Sequence, residues 1–148
     1  MQIPAKVDYA LRALLQLADG EAATAEALAR AQTLPANFLS AILTDLRHAG
    51  FIASRRGNGH SGYALARPAD QITVADIMRT FDGSLLEIRG HPPETTDYDG
   101  AAEHLRDVWI AAQASLAGVF ETVTLQHIAS GRLPQTVSRL AGSSASRH

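Results

Sequence analysis

LPANFLSAILTDLRHAGFIASRRGNGHSGYALARP, residues 34–68, has the pattern of a helix followed by a β-hairpin. Pro35 suits a first helical turn, because its missing N–H needs no partner there. Apolar residues then follow the i, i+1, i+4, i+5, i+8 spacing of one buried helix face: Phe38, Leu39, Ile42, Leu43 and Leu46. The opposite face is small, neutral or basic and carries hydrogen-bonding groups: Asn37, Ser40, Ala41, Thr44, Arg47 and His48.

Gly50 ends this helix as the residue after its C-cap, and a hairpin follows. Residues 51–54 pair with residues 63–66 as two short strands, joined by a glycine-rich basic tip over residues 55–62. The segment from Leu46 to Arg67 holds four arginines and no acidic residue. An exposed polar helix face followed by a basic hairpin is what a winged helix-turn-helix presents to DNA.

The hairpin tip also matches the dinucleotide-binding pattern G-x-G-x-x-G between Gly57 and Gly62. That fingerprint requires a helix that starts within the motif and an acidic residue about 20 residues later. Here an alternating strand follows, which is closed by Pro68. The glycines therefore indicate a tight loop with positive φ angles rather than a nucleotide site.

The flanking sequence completes a winged-helix domain over residues 1–82. Apolar spacing predicts an amphipathic helix over residues 5–18, and Thr24 is a plausible N-cap for a short helix Ala25–Ala31. After the hairpin, Thr73 and Asp76 form a variant of the capping box at the start of a fourth helix. The fold class is therefore mainly α, with three helices and a two-stranded wing.

The rest of the chain is predicted to mediate self-association. Residues 83–100 read as an acidic loop, a long helix follows from Ala101 to about Val123, a short helix ends by residue 130, and residues 131–148 form a flexible tail. A helix of some 23 residues is about 35 Å long, which is too long for its whole length to pack on a small winged domain. We expect its stripe to pack on a second copy, with a helix folded back on its own domain as the alternative; the stripe is Leu105, Val108, Trp109, Ala112, Leu116, Val119, Phe120 and Val123.

Composition limits the function classes. The 148 residues are 46% hydrophobic with a formal net charge of −2. Residues 1–67 hold seven basic against five acidic residues and residues 68–148 hold six against ten, so the first half is the better polyanion-binding half. The chain has no cysteine, which excludes disulfides, thiolate metal sites and cysteine-ligated iron–sulfur clusters. No apolar run approaches the roughly 20 residues that span a bilayer, and the N-terminus lacks signal-peptide features, so we expect a cytoplasmic protein.

The chain resembles the Rrf2-type winged-helix repressors, the family of iron–sulfur biogenesis and nitric-oxide-sensing regulators. The resemblance covers about residues 1–130 and rests on residues 9–18, on Leu46–Ile52, on Ser54–Gly57, on Gly62–Pro68 and on Ile72–Ile77. It implies a homodimeric transcription regulator, usually a repressor, whose long helix crosses its counterpart. Many members hold an iron–sulfur cluster with three cysteines in the loop before that helix. The matching loop here has none, so cluster sensing is not carried over.

In the DNA-binding interpretation, the helix after Pro35 reads bases or contacts phosphates, since asparagine can bind adenine and serine or threonine can bind bases or phosphates. Thr24 would bind a phosphate at a helix N-terminus. The wing arginines would reach the minor groove. The predicted DNA-binding residues are Lys6, Thr24, Ala36, Asn37, Ser40, Ala41, Thr44, Arg47, Arg55, Arg56, Asn58 and His60. A dimer would then recognise a partly palindromic operator in double-stranded DNA.

The signal that such a regulator senses stays open. One alternative is a metal held by loop residues (His91, Glu94, Asp97, Asp99 and His104), although acidic loops are usually only solvated. A second is a small-molecule pocket lined by Tyr9, Phe81 and Trp109, and a third is control by a partner protein. No nucleophile–base pair or phosphate loop points to an enzyme. The rival to a DNA-binding regulator is a winged-helix protein-interaction module that has lost DNA binding.

Overall fold

The computed structural model of the protein describes residues 1–57 and 60–145. Three helices, a β-hairpin and four further helices follow one another along the chain. Three short 3₁₀ turns, Ala69–Gln71, Pro93–Thr95 and Gly100–Ala102, lie in the connections. The main elements are α1 (Ala5–Gln16), α2 (Ala25–Gln32), α3 (Ala36–His48), β1 (Ile52–Gly57), β2 (His60–Leu65), α4 (Val74–Asp82), α5 (Leu105–Phe120), α6 (Leu125–Ser130) and α7 (Gln135–Ala145).

A single apolar core joins α1, α2, α3, α4 and α6. The central helix α1 contributes residues at helical spacing, so that one of its faces is buried along its whole length. Each large side chain buried here stabilises the fold by roughly 1.5–3 kcal/mol. The fully buried large residues include Leu14, Leu28, Leu39, Leu43, Leu46, Ile52, Ile72, Ile77 and Leu125.

The hairpin forms an antiparallel ladder whose outermost pairs are Ile52 with Leu65 and Gly57 with His60. A third chain segment joins it through Ala23, whose N–H donates to the Tyr63 carbonyl at 2.9 Å and whose carbonyl accepts from the Tyr63 N–H at 2.7 Å. The segment before α2 is therefore tied to the wing. This contact fixes the N-terminus of α2 beside the hairpin.

Two helix N-termini lie side by side where the winged domain meets the C-terminal helices. Thr73 caps α4, and its hydroxyl and the Asp76 carboxylate each accept from the other residue's backbone N–H. Thr124 and His127 cap α6 in the same way, with the Thr124 N–H donating to His127 Nδ1 at 3.0 Å. Two backbone bonds join the caps, one from the Val74 N–H to Val123 and one from the Leu125 N–H to Ile72.

The capped helices agree with the sequence predictions, but the bounds of α5 and the structure of the segment after α6 do not. The long helix was predicted over residues 101–123, whereas α5 begins at Leu105 and ends at Phe120, about 24 Å in length. Its end lies beside the junction, where the Val123 carbonyl accepts from the Val74 N–H while the Val123 N–H still donates to the Val119 carbonyl. The prediction of a flexible tail was wrong over Gln135–Ala145, which forms α7. The carbonyl of Pro134, the residue before this helix, accepts from the Val137 and Ser138 N–H groups.

We predict that His127→Ala destabilises the protein by about 0.5–2 kcal/mol, because it removes the acceptor for the Thr124 N–H at a partly buried helix start. His127→Gln is the matched control, since a glutamine at this position can accept the same bond. Urea unfolding of both variants measures the difference. Equal loss in the two variants would show that the imidazole acts through packing rather than through the cap.

Candidate nucleic-acid interface

The solvent-facing side of α3 carries the residues that were predicted to read DNA. All six predicted α3 residues, Ala36, Asn37, Ser40, Ala41, Thr44 and Arg47, are exposed. The buried side of α3 is formed by four apolar residues that hold the helix against α1 and α2. The exposed side also includes one carboxylate, Asp45, which the sequence prediction did not assign to the site. This face therefore offers amide, hydroxyl, methyl and charged groups along about three turns.

Two hydroxyls on this face have a defined hydrogen-bond direction. Ser40 Oγ donates to the Ala36 carbonyl at 3.2 Å, and Thr44 Oγ1 donates to the Ser40 carbonyl at 3.0 Å. With their protons directed at the helix backbone, both oxygens present lone pairs outward. They are arranged to accept hydrogen bonds from base amino groups, such as cytosine N4 or adenine N6 in the major groove.

A cleft of about 280 Å³ separates the N-terminus of α2 from the wing. Thr24 caps α2 by accepting from the Ala27 N–H at 3.1 Å, which leaves its hydroxyl proton and the N–H groups of the first turn to face the cleft. A helix N-terminus with free N–H groups favours an anion such as a phosphate. The cleft is lined by Thr24, Ala25, Glu26, Ser54, Ser61, Gly62 and Tyr63.

The two wing arginines differ in their surroundings. Arg55 donates from Nη1 to the Gly20 carbonyl at 3.4 Å and lines a second cleft, of about 530 Å³, that also contains Asp19 and Asp70. Arg56 is the next residue in β1, so it lies on the opposite face of the hairpin. Arg56 is exposed and has no hydrogen bond or ion pair within residues 1–57 and 60–145. Arg56 is therefore the wing arginine that is available for a ligand.

Strand alternation identifies two further residues that the sequence analysis missed. Ser54 lies two residues before Arg56, and Ser61 pairs directly with Arg56 across the ladder. Both serines line the cleft beside α2. The two-residue spacing was the available signal, since side chains at i and i+2 share a strand face.

Three other residues were also predicted to bind DNA: Lys6, Asn58 and His60. Lys6 is exposed on α1. His60 begins β2, and Asn58 lies outside the described residues. Their assignment to DNA binding stays a prediction.

The predicted burial of Phe38 was wrong. Its side chain is 53% exposed and meets the Tyr9 ring edge-on, with the ring centroids 6.4 Å apart. Phe38 lies at the border of the buried face of α3, where the neighbouring helix rather than the spacing decides exposure. The Arg12 guanidinium lies 5.9 Å from the Tyr9 ring and bonds Gln32, so these residues connect α1 with α2 and α3.

The three residues predicted to line a small-molecule pocket make separate contacts in the described structure. Tyr9 contacts Phe38, whereas Trp109 donates from Nε1 to the Tyr98 hydroxyl at 3.0 Å, so the two aromatic residues belong to different parts of the chain. Phe81 packs beside the main core.

The acidic loop is held against α5 by side-chain contacts. Arg106 donates to the Glu94 carbonyl at 2.8 Å, and Gln113 donates to the Glu94 carboxylate at 2.5 Å. Thr96 is buried and donates to the Pro93 carbonyl at 2.7 Å. No group of three or more potential metal ligands gathers within the described part of the chain. The candidate ligands His91, Glu94, Asp97, Asp99 and His104 are all exposed.

The predicted dimerisation residues are divided between two sides of α5. Val108 is 55% exposed and Leu105 is 37% exposed, whereas Phe120 packs beside the core and Val123 is buried. Trp109 faces the acidic loop. Ala112, Leu116 and Val119 are partly exposed. The solvent-facing side of α5 instead follows a 3, 4, 3, 4 spacing of small or β-branched residues: Val108, Ala111, Ser115, Gly118 and Thr122.

Comparison with known proteins identifies the family. Residues 3–131 match the Rrf2 family, described as iron-dependent transcriptional regulators. The chain belongs to the Rrf2 family. The regulator is 42% identical over 144 residues to the HTH-type transcriptional regulator Rv1287 of Mycobacterium tuberculosis H37Rv, covering 95% of this chain and 89% of the relative. It is 31% identical over 133 residues to the HTH-type transcriptional regulator CymR of Bacillus subtilis, covering 88% and 91%.

Solved structures agree with this assignment. The structure of CymR, the global cysteine regulator of B. subtilis, superposes with a TM-score of 0.72 at 27% identity, covering 88% of this chain and 97% of that one. IscR of T. potens gives a TM-score of 0.71 at 25% identity, with 88% of each chain covered. The Rrf2 regulator is thus a winged-helix transcription factor rather than an enzyme. None of its helices in the described residues is long and apolar enough to cross a membrane.

We predict that Gly62→Ala displaces the wing from α2. A Cβ atom at residue 62 would lie 2.8 Å from the Ala23 carbonyl oxygen, and backbone cannot move away from it without breaking the Ala23–Tyr63 bonds. Both the free energy of unfolding and DNA affinity should fall, as measured by urea unfolding and by fluorescence anisotropy. Ser61→Ala is the neighbouring control for the unfolding measurement, because it removes a hydroxyl but leaves the close approach intact. Wild-type behaviour of Gly62→Ala would show that the α2–wing contact is not needed.

Proposed function

We propose that this Rrf2 regulator is a cytoplasmic homodimer that binds a partly palindromic operator and represses transcription, without a cysteine-ligated iron–sulfur cluster. The observation that carries the proposal is the common exposure of the α3 polar face, the α2 N-terminal cleft and Arg56. These three groups are the major-groove, phosphate and wing contacts of a winged helix-turn-helix. A dimer presents two such surfaces, and its two-fold axis requires related half-sites in the DNA.

The role that we propose for each group of residues in DNA binding follows from its contacts. Asn37, Ala41 and Thr44 meet base edges, and Thr24 binds a phosphate through its hydroxyl and the N–H groups behind it. Arg56 enters the minor groove, where a narrow A·T tract attracts a guanidinium. Arg55 supports the wing by bonding Gly20. Lys6 and Arg47 add backbone contacts that carry no sequence information.

The proposed dimer uses the exposed side of α5. Its small residues let two helices approach closely, and no described residue of the same chain lies near a Cβ built at Gly118. Val108, Ala112 and Val119 from the predicted stripe border this side, whereas Val123 and Phe120 belong to the core of their own chain. Helix α5 is rich in apolar residues but has no fully buried residue in the single chain. An exposed apolar helix is unfavourable in water unless it packs on a partner.

The proposal departs from the family description in one respect. The family is described as iron-dependent, but this chain has no cysteine to ligate a cluster. The loop before α5 is instead closed by Glu94, Arg106 and Gln113, with Tyr98 bonded to Trp109. We therefore place the control of DNA binding in an effector or partner rather than in a cluster.

Arg56→Ala should weaken binding to an operator, selected from a random duplex library with the wild-type protein, by about 1–3 kcal/mol. Arg55→Ala is the matched control, because it removes the same charge from the adjacent residue but loses a bond to Gly20. Arg55→Ala should therefore lower the free energy of unfolding and have the smaller effect on affinity. Anisotropy titrations at two salt concentrations measure both variants. Equal operator affinity of wild type and Arg56→Ala would remove the wing from the proposed interface.

Ser115→Glu should shift the protein from dimer to monomer without unfolding it. Ser115 is exposed on α5, so the new carboxylate is solvated in a single chain but buried and unpaired between two copies. Sedimentation velocity at micromolar concentration measures the oligomeric state, and circular dichroism confirms the fold. Gln135→Glu adds the same charge on α7 and should leave the dimer intact. A dimeric Ser115→Glu variant would show that this side of α5 is not the interface.

A further inference from the structure

The C-terminal helix α7 lies beyond the residues that match the family. The match to the Rrf2 family ends at residue 131, and α7 begins at Gln135. The alignment with the mycobacterial relative covers 95% of the chain, so it reaches into this helix.

Helix α7 and the residues before it present an apolar stripe edged by arginines. Leu133 is 39% exposed and Leu140 is 61% exposed, and Val137 lies between them at a spacing of four and three residues. Such spacing places Val137 and Leu140 on one side of α7, and Leu133 lies just before the helix. Arg132 and Arg139 are exposed beside them. Residues 122–148 contain three arginines and no acidic residue.

The first two turns of α5 show the complementary pattern. Leu105 and Val108 are exposed there, and the neighbouring Glu103 and Asp107 carboxylates are exposed as well. Residues 87–107 hold six acidic residues and two arginines. Both arginines already have partners, since Arg106 bonds the Glu94 carbonyl and Arg89 lies over the Tyr98 ring. His104 lies beside both carboxylates, with Nε2 3.1 Å from Glu103 and Nδ1 3.8 Å from Asp107. All three side chains are exposed, so an outside cation can still reach the carboxylates of this acidic edge.

We propose that α7 of one copy docks on the start of α5 in a second copy. Leu133, Val137 and Leu140 cover Leu105 and Val108, and the arginines face Glu103 and Asp107. This inference rests on the α5-mediated dimer proposed above and adds a second contact to it. Four apolar side chains that are exposed in one chain become buried together, with charges of opposite sign at the edges: Leu105, Val108, Leu133 and Leu140.

The helix that covers the start of α5 belongs to a second copy, because α7 does not cover α5 within its own chain. Leu105, Val108 and Leu140 are all exposed with α7 in place in the same chain. Two copies of α5 that cross antiparallel about a two-fold axis bring the end of one helix beside the start of the other. The α6–α7 segment that follows the end of α5 then lies next to the partner's acidic edge.

The absence of native cysteines permits a direct test in the full-length protein. A tagged chain with Leu105→Cys is mixed with an untagged chain with Leu140→Cys and oxidised with copper phenanthroline. Docking brings the two backbones within the distance that a disulfide requires. We expect a mixed-chain band at dimer mass on a non-reducing gel. Replacing Leu140→Cys by Gln135→Cys, on the polar side of α7, should reduce the band at least fivefold.

The outcomes separate this inference from the dimer itself. A wild-type chain that sediments as a monomer overturns both proposals. A wild-type dimer without the mixed-chain band overturns only the docking of α7. A chain carrying both cysteines that forms its disulfide internally, at monomer mass and without mixed-chain product, assigns α7 to its own α5 and also overturns docking between copies.

Exchanging the charges of Arg139 and Asp107 tests the ionic part of the proposed contact. Arg139→Glu should weaken the dimer about fivefold, which is the scale of an exposed ion pair. Adding Asp107→Arg in the same chain should restore the dimer, because the opposite charges are exchanged across the contact. Sedimentation equilibrium measures the dissociation constants. Restoration supports the pairing, whereas additive weakening in the double variant contradicts it.

Discussion

The paired caps of α4 and α6 set the relation between the DNA-facing half of the chain and its C-terminal half. The backbone of Ile72–Val74 exchanges hydrogen bonds with Val123–Leu125, so the chain returns to the winged domain after the loop and α5. Arg79 and Glu121 form an ion pair beside this junction. The direction of α5 relative to α3 is therefore fixed by a short rigid contact. In a dimer joined through α5, this contact determines the separation and angle of the two recognition helices.

The wing shows how one short strand serves both the fold and its ligand. Adjacent residues of β1 lie on opposite faces, so one arginine is bonded to the turn after α1 while its neighbour is open to solvent. Gly62 allows the segment before α2 to approach the ladder closely. The wing and the N-terminus of α2 consequently form one surface, with a cleft between them, rather than two independent contacts.

Local patterns predicted most of the winged domain. Capping residues at Thr24 and Thr73, the buried side of α3 apart from Phe38, and the hairpin all depend on neighbours within a few residues. The errors arose where distant packing decides the result. Phe38 lies at the border of a helix face, and α5 ends at Phe120, just before Val123 bonds Val74 across the junction. Strand alternation separates Arg55 from Arg56 but does not indicate which of them faces the body. Composition alone suggested a flexible tail where α7 forms.

The closure of the loop before α5 has a consequence for how the protein matures. Ordinary hydrogen bonds from Arg106, Gln113 and Trp109 hold the conformation of the loop described above. Such bonds form during folding itself and require no delivery of iron or sulfide. This part of the molecule should reach its shape as soon as synthesis is complete and keep it in air. Changes in oxygen tension would then leave the geometry of this loop unchanged.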